Sequence, residues 1–170
     1  MSRLSIIHID YSHLDGGLAR MMDRFKAEGT LTGDFEADEY IRNSPNAALL
    51  GLLYDQRMRA EFAFIGPQRL HEKLGHLNMR RIADHEPESF KVLFGQPPAV
   101  HRFTNKMADI TQAVARIIAD QYAGDAAGLW NDGAPFDEVR KRVKALPGFG
   151  AQKSEKMKYV LHYFGFRDFS

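Results

Sequence analysis

Cysteine is absent from all 170 residues. Its absence excludes disulfides, zinc–thiolate centres, iron–sulfur clusters and cysteine nucleophiles. No apolar run approaches the roughly 20 residues that span a bilayer, so no membrane partner is expected. The apolar stretch from Leu4 to Ile9 is short and Asp10 interrupts it, which predicts no cleavable leader. The same stretch is the sole candidate strand, and it lacks a partner. Internal repeats and low-complexity linkers are missing too. Neither sign of charge dominates, with 23 Lys and Arg against 22 Asp and Glu. What remains is a folding composition, 44% hydrophobic and 26% charged, of a size for one domain or two small lobes. A reducing, cytoplasmic compartment fits a chain without thiols.

The hydrophobic period is helical almost throughout. Leu14, Leu18, Met21, Met22 and Phe25 share one face of a first helix, Leu14 to Lys26. Asp34 can cap a short helix from Phe35 to Arg42 that ends before Pro45. The stretch Ala47 to Tyr54 is apolar all round, as a helix at the centre of a bundle is. Ala60 to Leu74 is helical in pattern, but Gly66-Pro67 predicts a kink or break. Asn78 and Pro87 open two short helices, and Pro97-Pro98 is a stiff connector. Thr104 or Asn105 opens the clearest amphipathic helix, with Met107, Ile110, Val114, Ile117 and Ile118 on its inner face. Asp125 caps a turn ending at Trp130. Phe136 to Ala145 and Ala151 to Phe164 are the last two helices. The expected class is all-α, a helical bundle.

Charge is unevenly spread. Residues 137–158 carry seven basic side chains (Arg140, Lys141, Arg142, Lys144, Lys153, Lys156, Lys158) and three acidic ones. Two readings fit: a solvated helix surface, or a local field for a polyanion. Between the two basic helices stands Leu146-Pro147-Gly148-Phe149-Gly150. Pro147 stops one helix, the glycines allow backbone angles closed to other residues, and Phe149 can pin the turn to the core. The turn runs straight into a helix whose first amides are unpaired, the arrangement that holds a phosphate. The alternative is a plain corner between two helices. Phosphate contacts of this kind position a protein without reading sequence.

Leu146 to Lys153 resembles the helix–hairpin–helix motif of the endonuclease III-like DNA glycosylase superfamily, HhH-GPD. Two more segments, in matching order, are similar to that family: Leu49-Leu50-Gly51-Leu52-Leu53-Tyr54-Asp55-Gln56, like its central apolar helix ending in glutamine, and His101-Arg102-Phe103-Thr104-Asn105-Lys106-Met107-Ala108, like its loop into a long helix. The resemblance covers roughly residues 45–165 and is closest to a cysteine-free branch. It implies an endonuclease III-like fold with a helix–hairpin–helix domain at 45–165. Residues 1–44 would contribute to a reduced second lobe, and 166–170 would form a tail. It implies double-stranded DNA as partner, in the nucleoid, with no cofactor beyond a monovalent cation at the hairpin. The implied DNA-binding residues are Gln56 and Arg57, facing the lesion or the gap left by a flipped base, and Leu146, Gly148, Phe149, Gly150, Gln152, Lys153 and Lys156.

The family's chemistry maps onto fewer residues. Its bifunctional members carry a Schiff-base lysine at the position occupied here by Gln152. Lys153 comes one residue later, about 100° round the helix, so efficient lyase activity is not expected. The family's carboxylate, which would stabilise oxocarbenium charge or activate water, is matched most nearly by Asp168. The expected function is a monofunctional DNA glycosylase acting on a damaged base. The alternatives are a helix–hairpin–helix DNA-binding module without that chemistry, such as a damage sensor or partner-dependent subunit, and an unrelated helical interaction domain. Phe164, Phe166 and Phe169 are expected to pack on Leu14, Leu18, Met22 and Phe25. His8, Asp10, His13 and Asp15 form either a surface cluster or a metal site. Tyr54, Phe103 and Trp130 are either base-stacking or core aromatics.

Overall fold

A computed structural model describes residues 5–170. Nine α-helices and one 3-10 turn account for the regular structure among the described residues, and no strand occurs there. The candidate strand begins at Leu4, which lies outside the described residues. Its remaining part, residues 5–9, is irregular. Among the described residues no helix is long and apolar enough to cross a membrane.

The helices are α1 Gly16–Glu28, α2 Phe35–Arg42, α3 Pro45–Tyr54, α4 Ala60–Leu74, α5 Met79–Asp84, α6 Pro87–Gly95, α7 Thr104–Gln121, α8 Phe136–Lys144 and α9 Ala151–Tyr163. The 3-10 turn Ala126–Leu129 separates α7 from α8. Local chemistry marks several starts. Asp34 accepts the Glu36 and Ala37 amides, Ser44 that of Ala47, and Asn78 that of Arg81. Pro45 and Pro87 occupy first turns, where a missing N–H costs nothing.

α3 is the axis of the bundle. Every residue from Ala47 to Tyr54 is buried, and α4, α9 and α2 pack round it. Each of its leucines contributes about 2 kcal/mol by leaving water. α5 and α6 pack on α7, and α8 packs on α9. α1 and α2 join α3 and α4 in the same buried cluster, through Leu18, Met21, Met22 and Ile41. The loop between α1 and α2 is tied down by the buried Asp38, whose carboxylate accepts the amides of Leu31 (2.7 Å) and Thr32 (2.9 Å).

Three expectations change. α4 runs unbroken through Pro67. α7 turns Ala108, Thr111 and Ala115 inward and leaves Ile110 and Ile117 only partly buried. Small side chains there let α7 lie close to its neighbours, which an apolar count overlooks. The C-terminal aromatics also pair with rings other than Phe25: Phe164 meets Phe64, Phe166 meets Trp130 and Phe169 meets Phe136. Tyr163 fills the place on Phe25 expected for them.

Candidate nucleic-acid interface

The α8–α9 turn is built from both sides. Leu146 and Phe149 are buried and anchor it, and the Phe149 amide donates to Leu146 O at 3.3 Å. Gly148 has φ +82°, in the left-handed region. A Cβ there would stand 2.6 Å from Leu53 Cδ1 and 2.9 Å from Ile110 Cγ2. Gly148 is therefore needed by the fold itself. Gly150 is different: its φ is −92° and ψ −175°, open to any residue. A Cβ there meets nothing within 4 Å. The expectation that both glycines serve the turn thus holds for Gly148 alone.

Gly150 opens α9 without a side-chain cap. The amides of Gly148, Gly150, Ala151 and Gln152 have no acceptor among the described residues, and all four residues are exposed. The carbonyls of Pro147, Gly148 and Phe149 likewise accept no hydrogen bond there. Such bare oxygens are the ligands that the monovalent cation implied by the resemblance would take.

Lys153 is partly buried and turns back onto α3. α3 ends deep in the molecule with no basic residue in its last turn, so its carbonyls need outside donors. Lys153 Nζ donates to Leu53 O at 3.0 Å, and His101 Nε2 pairs with Tyr54 O at 2.8 Å. Burial lowers the Lys153 ammonium below the ordinary lysine range; the Asp55 carboxylate opposes that shift and Lys156 adds to it. Burial likewise raises the Asp55 carboxyl, against the pull of Lys156 and Lys153. Burial, with the nearby Lys153 charge, keeps His101 below the usual histidine range, partly offset by its bond to Tyr54.

Gln56 and Arg57 follow Asp55 in the loop to α4. Gln56 is half-buried, and its amide donates to Tyr54 O. Arg57 is exposed with φ +55°, a conformation costing a side-chain-bearing residue about 1 kcal/mol. Lys156 and Gln152 line an open groove of about 480 Å³, which also takes in His13, Asp15, Arg140 and Tyr159. The structure therefore brings Asp55, Gln56 and Arg57 to the same end of the bundle as the turn, Lys153 and Lys156.

It does not bring Asp168 there. That carboxylate is 3.8 Å from His162 Nδ1, near the far end of α9, and its side chain is 70% exposed. Ala151 and His162 are about 16 Å apart along the helix axis, at 1.5 Å per residue. Asp168 accepts the Ser170 amide and hydroxyl, which hold it below the ordinary aspartate range. Arg167 bonds instead to the carbonyls of Trp130 and Ala134. The tail is thus a fastening of α9 to the α8 end, with its one carboxylate turned to solvent.

The N-terminal cluster is also dispersed. His8 pairs with Tyr163 (3.3 Å), His13 with Tyr159 (2.8 Å), and Asp10 caps Ser12. No group of three His, Asp or Glu among the described residues could hold a metal ion. Tyr54 and Trp130 are buried, and Phe103 is partly buried against the core. Sequence reading missed Arg20, Arg59, Glu61 and Asp55 as members of this end of the molecule. Only Asp55 carried a signal, its place beside Gln56. The chain matches no protein-family model, and no curated protein matches it either.

Proposed function

We propose that the protein binds double-stranded DNA through the main chain of the α8–α9 turn, used as a helix–hairpin–helix module. One observation carries the reading: the amides of four exposed residues, Gly148, Gly150, Ala151 and Gln152, have no acceptor of their own. Amides at a helix start attract a phosphate oxygen. The open space beside Gly150 supports the same reading, because no neighbouring atom of the fold excludes a side chain there. Leu146 and Phe149 serve by anchoring the turn, Lys156 by adding charge, and Lys153 by joining α9 to α3. The working place of such a protein is the nucleoid.

The test is anisotropy of a labelled duplex over a salt series. Affinity should fall steeply as salt rises. Gly150→Val should weaken binding about tenfold, roughly 1.4 kcal/mol, with the thermal midpoint unchanged. Equal affinity of the two proteins at matched salt would sink the proposal.

A second reading, base excision, is favoured by Asp55. It is a half-buried carboxylate within electrostatic reach of Lys153 and Lys156, and it has no hydrogen-bond donor among the described residues. Cleavage would break the bond from C1′ to the base nitrogen, add water oxygen at C1′ and release the protonated base. An anion facing C1′ would stabilise the developing positive charge. Asp55→Asn should then abolish base release from damaged duplexes while leaving binding intact, and Asp168→Asn should leave both intact. Release that survives Asp55→Asn refutes this second reading.

A further inference from the structure

The loop from Asp55 to Arg59 has basic groups on both flanks. One flank is the start of α9, with Lys153 and Lys156. The other is a node around Glu61, in the first turn of α4 and only 8% exposed. Three guanidinium groups converge on its carboxylate: Arg24 at 3.3 Å, Arg20 at 3.5 Å and Arg59 at 3.6 Å. Two come from α1. That helix can reach α4 because Gly17 lies against it, where a Cβ would stand 2.7 Å from Ala60 Cβ.

The three arginines are not equivalent. Arg24 is largely covered and also donates to Leu31 O at 2.9 Å. Arg20 and Arg59 keep 47% and 63% of their side chains exposed. Each reaches only Glu61 Oε2, and that oxygen accepts no well-formed hydrogen bond. One carboxylate thus faces three cations, and two of them have most of their N–H donors free. Burial alone would raise the Glu61 carboxyl. Its own amide and the charges of Arg20 and Arg24 outweigh that and hold it below the ordinary glutamate range. Asp55 lies within electrostatic reach of Lys153 and Lys156 and also of Arg20 and Glu61. Both basic groups therefore lie within electrostatic reach of one carboxylate, at the start of the loop that carries Gln56 and Arg57.

We infer that Arg20 and Arg59, held in place by Glu61, form a second phosphate-binding pair that grips the DNA backbone across the Gln56–Arg57 loop from the α8–α9 turn. The inference rests on the DNA-binding reading above. Arginine suits the role because its planar fork meets two phosphate oxygens at once. Glu61 is a positioning residue here. It removes some charge, yet it presets two long side chains that would otherwise lose conformational freedom on binding.

The experiment measures duplex affinity against salt for the wild type, Arg20→Gln, Arg59→Gln, their double variant, Glu61→Gln and Gly150→Val, with circular dichroism to confirm folding. Each arginine variant should lower the slope of log affinity against log salt by about 0.9, the value for one lost phosphate contact. Glu61→Gln separates positioning from bulk charge: it should bind more weakly although it is more positive. Tighter binding by Glu61→Gln overturns the positioning role. Unchanged slopes in the double variant overturn the inference, and a weakened Gly150→Val in the same series then leaves the turn reading standing. No salt-dependent binding by the wild type removes both. Inorganic phosphate is added at constant ionic strength as a further arm. Displacement of duplex by it from the wild type but not from the double variant agrees with the inference; phosphate that binds the wild type through the two arginines without displacing duplex would mean a free-phosphate site and overturns it.

Discussion

One added methyl group, placed at Gly148 or at Gly150, should have opposite consequences two residues apart. At Gly148 the methyl meets Leu53 Cδ1 at 2.6 Å and Ile110 Cγ2 at 2.9 Å. Leu53 is fully buried and has nowhere to go. Overpacking of this kind costs about 1–3 kcal/mol, and the positive φ adds about 1 kcal/mol. Gly148→Ala should therefore lose about 2–4 kcal/mol, and for a chain of this size the melting midpoint should fall by about 6–12 °C. At Gly150 the same methyl enters empty space at an ordinary φ. Alanine is the poorer N-cap by about 0.5–1 kcal/mol, but it restricts the unfolded chain by a similar amount. Gly150→Ala should therefore leave stability within about 0.5 kcal/mol. Urea titration of the two variants beside the wild type, with tryptophan fluorescence and circular dichroism as coincident probes, measures both. A Gly148→Ala protein as stable as the wild type would refute the claim that the turn is seated on α3 and α7. A large loss in Gly150→Ala would refute the claim that Gly150 is free of structural duty.

Three further outcomes are expected. Asp38→Ala strips two buried donors of the α1–α2 loop of their acceptor, the amides of Leu31 and Thr32, and leaves the Thr32 hydroxyl only the Asp34 carbonyl; it should cost about 2–3 kcal/mol in chemical denaturation. Arg57→Gly relieves a left-handed backbone and should raise stability by up to about 1 kcal/mol while weakening duplex binding. A loss of stability there would mean that the conformation is not strained. The Glu61 carboxyl is depressed in the folded protein, so its stabilising effect is present above the ordinary glutamate value and is lost as pH falls through the lower, folded one. Stability measured across that acid window should fall with pH in the wild type and more gently in Glu61→Gln; parallel curves would contradict this.

Several parts of the molecule were legible from residue order alone. The helical period located nearly every helix, since apolar side chains 3.6 residues apart must share a buried face. The apolar run Ala47–Tyr54 announced a central helix, and it is one. The turn at 146–150 was marked by its proline, its glycines and the basic helices beside it. Reading failed where the deciding neighbour is remote. Nothing local distinguishes Gly148 from Gly150, because the difference lies in Leu53 and Ile110, which only folding brings near. Lys153 looked like a surface or nucleophilic lysine because its sequence neighbours are polar. Its actual partner is a carbonyl of α3, one hundred residues away.

Composition and periodicity alone determined that this chain is helical, cysteine-free and folded round an apolar α3, because those properties follow from each residue's own preference for water or for neighbours one turn away. Tertiary structure alone decided which charges stand together. It sent Asp168 to the far end of α9, set Lys153 and His101 on the end of α3, and gathered Arg20, Arg24 and Arg59 round Glu61. The physical reason is that a buried helix end or carboxylate must recruit its partners from whatever lies near it in space, and nearness in space is not written in the spacing of residues.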